Sequence, residues 1–356
     1  ITSGESLAGE KPDARAYMAE DEIIVQFEAP RTSVKSVAAA RAVRREWVRT
    51  FEDLQKKGWI VDYSSLPSIG VVKIKIRNAE VRDSVVEAIS RKTGKRPAPV
   101  SRASRKRSQS TQALWNNDGA PTVASDEPGY GKLAWAWRMI GAPGAWAANG
   151  FGRPSVIVSV IDDGIRREHP DLANILTNDG YDFVSDGYQV MCDGNRLVSR
   201  TGDNDGPDAD PSQPIEYTRD ATQGCLKDVV RRGGHGLHVI GILAGGINGE
   251  GMAGLAPGIR VRPIRTFDIG GSSTDYDIAQ SVLYAAGEIV DVGGGRFLQV
   301  PKSAVINMSY ESDTPSRLEE LAIARALSNG VVLIAAAGNS GTDRPTYPSA
   351  YPGVIG

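Results

Sequence analysis

From Val156 onward, short apolar runs alternate with longer stretches in which apolar residues recur every three or four positions. Val156–Ile161, Ile259–Arg265, Ser303–Met308 and Val331–Ala337 read as strands, whereas Tyr276–Ala286 and Arg317–Ser328 read as helices. Strand and helix in alternation predict an α/β fold: a parallel sheet whose two faces are covered by the connecting helices. Upstream, Lys132–Ala148 reads as a short helix, a turn at Gly141–Gly144 and a second helix leading into the first of these strands.

Residues 21–102 carry a different pattern. Glu22–Phe27, Trp59–Tyr63 and Val71–Ile76 read as strands, Ser33–Lys57 as a long helix and Glu80–Arg91 as a second one, with a last strand expected near Pro97–Ser101. That order predicts a ferredoxin-like α+β unit, a topology that specifies no function by itself. Residues 1–20 precede it as an extension. Residues 103–131 form a linker, basic at Arg105-Lys-Arg107 and then rich in Gly, Pro, Asn and Asp. Such a composition buries no core, and a processing site is expected between Ser101 and Ala124. The second domain is then 132–356.

A formal net charge of -2, with both signs mixed along the chain, gives no reason to expect a nucleic-acid partner. No apolar run reaches the length of a membrane span. The chain opens at Ile1 without an apolar leader, so any secretory signal is expected to lie outside it. Cys192 and Cys225 flank a polar, aspartate-rich segment. A disulfide between them would close a loop of about thirty residues, worth roughly 2–4 kcal/mol, and would favour an oxidising, extracellular compartment; two free thiols are the other reading.

The chemistry concentrates where the strand Val156–Ile161 ends in Asp162, Asp163 and Gly164. A carboxylate delivered to the C-terminal edge of a buried parallel strand stands where open α/β sheets build sites, and its burial demands a polar partner. The chain has three histidines, His169, His235 and His238. His235 opens an apolar helical run between glycines, in Gly233-Gly-His-Gly-Leu-His-Val-Ile-Gly241, and is the candidate partner. An aspartate on one ring nitrogen fixes the tautomer and stabilises the imidazolium when the other nitrogen takes a proton. His238 reads as a packing residue and His169 as a brace for the Asp162 loop. A zinc site built from the three histidines is disfavoured, because no H-E-x-x-H helix is present.

Five blocks in order, Asp162-Asp-Gly-Ile165, His169-Pro-Asp-Leu172, Gly234-His-Gly-Leu-His-Val-Ile-Gly241, Val305-Ile-Asn-Met-Ser309 and Ala335-Ala-Ala-Gly-Asn-Ser-Gly341, resemble those of subtilisin-like serine proteases. The resemblance runs from about Trp135 to the C-terminus. It implies a subtilisin-like three-layer fold preceded by a propeptide that acts as folding chaperone and intramolecular inhibitor. It also implies hydrolysis of peptide bonds through an Asp–His–Ser triad of Asp162, His235 and a serine, with Asn339 as oxyanion-hole donor. The family's Gly-Thr-Ser-Met-Ala type of turn is not found up to Gly356. Truncation, a second chain that supplies the serine, or a non-catalytic peptide-binding pseudoprotease each account for this. Truncation is preferred, because Tyr351–Gly356 reads as the start of another core strand, and an unfinished sheet edge predicts poor solubility.

The same resemblance places a bound peptide as a β-strand between Gly270, Gly271 and Ser272 on one side and Ser309, Tyr310 and Glu311 on the other, held mostly by backbone. Two positions depart from the family. Asp163 stands where a small or hydroxyl residue is usual, adding a carboxylate that is expected to raise the pKa of its neighbours. Glu311 stands near a usual glycine, and a carboxylate there would favour basic side chains before the scissile bond. Asp203, Asp205, Asp208 and Asp210 resemble a calcium loop of the secreted bacterial members; calcium is the one cofactor expected, with no organic group. Protein or peptide substrates and a secreted, extracellular location complete what the resemblance implies.

Overall fold

The computed structural model describes residues 18–30, 34–104, 130–185, 189–192, 196–199, 203, 206–213, 234–268 and 271–356. Its N-terminal part runs β1 (Met18–Gln26), α1 (Val37–Arg49), α2 (Glu52–Lys56), β2 (Ile60–Leu66), β3 (Val71–Ile76), α3 (Arg82–Thr93) and β4 (Ala98–Ser104). The strands lie side by side in the order β4-β1-β3-β2, all neighbours antiparallel. Ser36 starts α1 by accepting the Ala39 amide, and Gly94, at φ 68°, ends α3 in the left-handed conformation that favours glycine. The single long helix expected over Ser33–Lys57 is instead two. Phe51, fully buried, leaves helical geometry so that its ring packs near Phe27 and Tyr63, and tertiary burial outweighs helical continuity.

The second part runs α4 (Tyr130–Met139), α5 (Ala142–Asn149), β5 (Ile157–Asp162), β6 (Tyr181–Asp182), β7 (Gln189–Cys192), β8 (Arg196–Ser199), α6 (His235–Ala244), β9 (Arg260–Arg265), β10 (Ser272–Thr274), α7 (Asp275–Ala285), β11 (Val290–Asp291), β12 (Phe297–Leu298), β13 (Val305–Met308), α8 (Arg317–Ser328) and β14 (Val332–Ala335). A parallel sheet of order β14-β13-β5-β9-β6 forms its centre, with β5 in the middle; β7 and β8 form a separate antiparallel pair. The alternation of side chains along β5 explains the layers. Val158 and Val160 pack with Ile240 and Ala244 of α6 on one face, while Ile161 joins Val282 and Leu283 of α7 and Ala322 and Ile323 of α8 on the other. The arrangement is the three-layer α/β architecture that the sequence resemblance implies.

The two parts share one antiparallel sheet. Strand β10 adds to the free edge of β4, with Ser272 opposite Ser104 and Thr274 opposite Arg102, and β11 adds to β2 at the other edge. Two charged contacts reinforce the join. Arg44 of α1 reaches Asp291 at 2.5 Å, and Lys73 of β3 lies 3.4 Å from Glu22 and 3.6 Å from Asp277 of α7, donating to the Ser185 hydroxyl at 2.6 Å. At the far edge of the parallel sheet Ile355 bridges Ile334, and Val332, Ile334 and Ile355 are exposed.

Candidate active site

Strand β5 is buried through its last residue, and Asp162 ends it at 2% exposure. The Asp162 carbonyl accepts the Thr266 amide at 2.8 Å, which anchors the strand end to the segment after β9. His235 is the first residue of α6. Its Nδ1 lies 2.9 Å from Oδ1 and 2.8 Å from Oδ2 of Asp162. With the carboxylate ionised, Nδ1 carries the proton and donates, leaving Nε2 as the ring nitrogen with a free lone pair. The ring therefore has one fixed tautomer and one basic nitrogen, the requirements for a general base.

Glycines make this approach possible. A Cβ on Gly236 would stand 2.5 Å from the Gly164 carbonyl and 3.0 Å from the Asp162 Cβ, so α6 abuts the strand end only because residue 236 has no side chain. Gly234, at φ 81°, precedes the helix and offers no side-chain cap. Asp163 supplies it from across the gap: Oδ1 accepts the Gly236 amide at 2.7 Å and Oδ2 the His235 amide at 3.3 Å. The second carboxylate thus lies against two helix-terminal amides, and a negative group is favoured there by the helix dipole.

Asn339 lies in an exposed loop beyond β14, with Gly338 at φ 101° before it. The loop is held from both ends. Thr346 donates its hydroxyl to the Ala337 carbonyl at 2.9 Å, and the Asn339 amide donates to Glu311 Oε2 at 3.1 Å. Glu311 is 3% exposed rather than solvent-facing, and its Oε1 has no hydrogen-bond partner among the described residues. Tyr310 turns its ring inward, 5.0 Å from Phe267, and donates its hydroxyl to Glu319, so only its backbone remains for a peptide. The Ser309 hydroxyl accepts from the Asn307 side chain at 2.9 Å. Gly271 turns at φ 73° into β10, where the Asp268 amide donates to the Ser272 carbonyl at 2.8 Å and the Ser272 amide donates to Asp268 Oδ1 at 2.9 Å. Gly270 lies outside the described residues, as do Asp205 and Cys225 and the linker run Arg105–Arg107.

The acidic loop is organised around arginines and amides. Asp203 and Asp182 both pair with the buried Arg265 guanidinium. Asp208 accepts the Asp210 amide, and Asp210 accepts the Ser212 amide and pairs with Arg167 at 3.2 Å. Burial pushes the Asp210 carboxyl up, but the bonds from Ser212 and Arg167 outweigh it and hold the pKa below the usual carboxylate range. Among the described residues no three His, Cys, Asp or Glu side chains gather for a metal. The described acids of 203–210 are thus engaged by arginines and backbone amides in this arrangement.

Asp171 belongs to the block that carries His169, whose ring accepts the Asp171 amide at 3.2 Å. The sequence reading gave Asp171 no role of its own. Its carboxylate accepts the Met252 amide at 2.9 Å and the Asn248 side chain at 3.4 Å, tying the turn after α6 to the loop after β5 beside a cleft of about 510 Å³. No sequence spacing signals this contact, since its partners are a backbone amide and a loop asparagine far along the chain.

A buried aspartate at the end of a central parallel strand, bonded to a histidine that opens the next helix over the sheet edge, defines an α/β protein with a preformed Asp–His relay. Residues 153–356 match the model of the subtilase family, peptidase S8, and the chain belongs to that family. It is 29% identical over 232 residues to thermitase of Thermoactinomyces vulgaris, covering 65% of this chain and 63% of thermitase. It is 32% identical over 199 residues to a thermophilic serine proteinase of Bacillus sp. (strain AK1), covering 56% of this chain and 36% of that protein. The chain thus spans less than two thirds of the length of these relatives. The crystal structure of fervidolysin from Fervidobacterium pennivorans superposes with a TM-score of 0.56 at 21% identity, covering 98% of this chain and 44% of that one, a likeness of fold that extends over the N-terminal part.

Proposed function

We propose that this chain is the propeptide and the acid–base part of a secreted serine endopeptidase. The observation that carries the proposal is the 2.8 Å contact of His235 with Asp162 at the sheet edge, in a chain of the subtilase family. In this reading Asp162 orients His235, whose Nε2 takes the proton from a serine hydroxyl as it attacks the scissile carbonyl and returns it to the leaving amine. Asn339 donates its side-chain amide to the oxyanion. The nucleophile of this reading is a serine, a role that the proposal gives to no residue of 1–356. The exposed apolar side chains Val332, Ile334 and Ile355 support a further segment packing at that edge of the sheet.

Residues 21–102 serve as intramolecular inhibitor. Support comes from β4, which pairs with β10 next to Gly271, along the edge where a peptide substrate is expected to add. A preference for Arg or Lys before the scissile bond is part of the proposal, supported by the buried Glu311 carboxylate, whose Oε1 has no hydrogen-bond partner among the described residues. Secretion is supported by relatives whose names describe extracellular proteases, such as the halolysin-like protease Nep of Natrialba magadii. Calcium enters only through the acidic composition of 203–210, with metal content of the natural protein as its test.

The activity is tested by labelling natively secreted protein with a fluorophosphonate and mapping the labelled peptide. A labelled serine in polypeptide that copurifies with Asp162 and His235 is expected. No label on folded protein that contains its full natural sequence overturns the proposal in favour of a peptide-binding pseudoprotease.

A further inference from the structure

The loop that carries Asn339 is short, glycine-containing and exposed, yet an oxyanion donor has to be fixed before the reaction starts. We infer that Glu311 is a positioning residue for Asn339: its buried carboxylate holds the Asn339 backbone amide, and so sets where the side-chain amide points. The inference rests on the proposed role of Asn339 as oxyanion donor.

The geometry isolates Glu311 as the support. It follows β13, whose hydrogen bonds to β5 and β14 fix it in the sheet. Its Oε2 accepts the Asn339 amide at 3.1 Å. The carboxylate also fills the space under the turn: a Cβ on Gly338 would collide with Oε2 and lie 3.1 Å from Thr346 Cγ2. Gly338 thus combines a positive φ with close contact to the Glu311 carboxylate, so the backbone of the turn rests directly on the acid. The Ala336 amide donates to the Met308 carbonyl at 3.1 Å and Thr346 holds the Ala337 carbonyl. The Asn339 amide is the last point before the loop turns into solvent, and Glu311 is what holds it. A carboxylate acceptor makes a stronger bond than a neutral one. Its burial adds to this, because water does not compete for the same oxygen.

Two measurements on the natural full-length protein test the inference. Hydrogen exchange of the Asn339 amide reads the support without any need for activity. Glu311→Ala is expected to speed that exchange about tenfold or more while amides of β13 and β14 stay protected, and Glu311→Gln, which keeps an acceptor oxygen, to stay within about threefold of the wild type. Unchanged exchange at Asn339 in Glu311→Ala overturns the inference. So does loss of protection throughout β13 and β14, which would mark a general structural role.

The second measurement is peptide hydrolysis. With peptides that carry Leu before the scissile bond, which make no charge contact with Glu311, Glu311→Ala is expected to lower kcat by about 10–100-fold with KM changed less than about threefold, with Gln restoring most of the loss. In Asn339→Ala, adding Glu311→Ala is expected to cost less than about threefold more, because both act through one donor. A full multiplicative loss in the double variant overturns the link to Asn339. If no form of the protein hydrolyses peptides or takes a fluorophosphonate, the proposed activity fails, and exchange at Asn339 alone then decides whether Glu311 supports the loop.

Discussion

Asp163 holds the backbone amide of Gly236 at 2.7 Å, across the gap between the end of β5 and the start of α6. Asp162 and Asp163 thus grip the same helix start from one strand end, the first through the His235 ring and the second through the backbone. Replacing Asp163 by Ala is expected to remove the helix cap at a cost of about 1–2 kcal/mol and to lower kcat more than it raises KM, because His235 loses its anchor. Asp163→Asn keeps an acceptor and is expected to retain most of both. Thermal unfolding and peptide kinetics check this; a change in KM alone would place Asp163 in substrate binding instead.

Asp162→Asn keeps the shape of the site but offers an amide where His235 needs an acceptor. The expected fall in kcat is about 10⁴-fold, the size seen when an orienting aspartate of such a relay becomes asparagine. Kinetics at saturating peptide measure it. A fall of less than about tenfold would mean that His235 does not depend on Asp162.

Burial pushes the Glu319 carboxyl up to about 7, against the hydrogen bonds from Tyr310 and Tyr351. The folded pKa exceeds the ordinary value of 4.5, so the folded state binds this proton more tightly than the unfolded one. The stabilising contribution is complete below about pH 4.5 and is lost as pH rises toward 7, roughly 3 kcal/mol in all. Glu319→Gln is expected to remove this slope and to raise Tm at pH 8. Melting curves of both forms between pH 4.5 and 8 test it, and parallel curves would show that Glu319 ionises normally.

Arg44 pairs with Asp291, whose side chain is fully buried, and so joins the N-terminal part to the second part of the chain. Burial pushes the Asp291 carboxyl up and Arg44 opposes this. Among the described residues, Arg44→Ala leaves a buried carboxylate with the Ser65 hydroxyl and the Gly293 amide alone, at an expected cost of about 3–5 kcal/mol near neutral pH. The deficit is expected to shrink as pH falls, because burial makes Asp291 take up a proton more readily than an ordinary carboxyl. Urea unfolding at pH 8 and pH 5 distinguishes this from a simple loss of packing, which would be the same at both.

Asp203 and Asp182 share the Arg265 guanidinium. Asp203→Asn is expected to lower Tm equally in chelator and in millimolar calcium, because the acid serves the arginine. A drop confined to calcium-containing buffer would make Asp203 a calcium ligand.

Much of this protein was already determined by its sequence. The apolar run that stops at Asp162 has to become a buried strand with its acid at the C-terminal edge, since only that placement buries Val158, Val160 and Ile161 and leaves the carboxylate beside polar partners. His235 among glycines marks the other half of the relay for the same local reason. The alternation of strands and helices determined the parallel sheet, and the β-α-β-β-α-β order determined the N-terminal unit. Tertiary structure alone decided the break at Phe51, where burying one ring outweighs the helical propensity of its neighbours. It also decided β10 and β11, three- and two-residue strands that exist because β4 and β2 offer free edges. The tasks of Asp163 and Glu311 belong to the same group. A carboxylate in the sequence carries charge but no direction, and its hydrogen-bond partners are backbone amides that every residue possesses. Only the packing of α6 against β5, and of the Asn339 loop over β13, selects which amides those are.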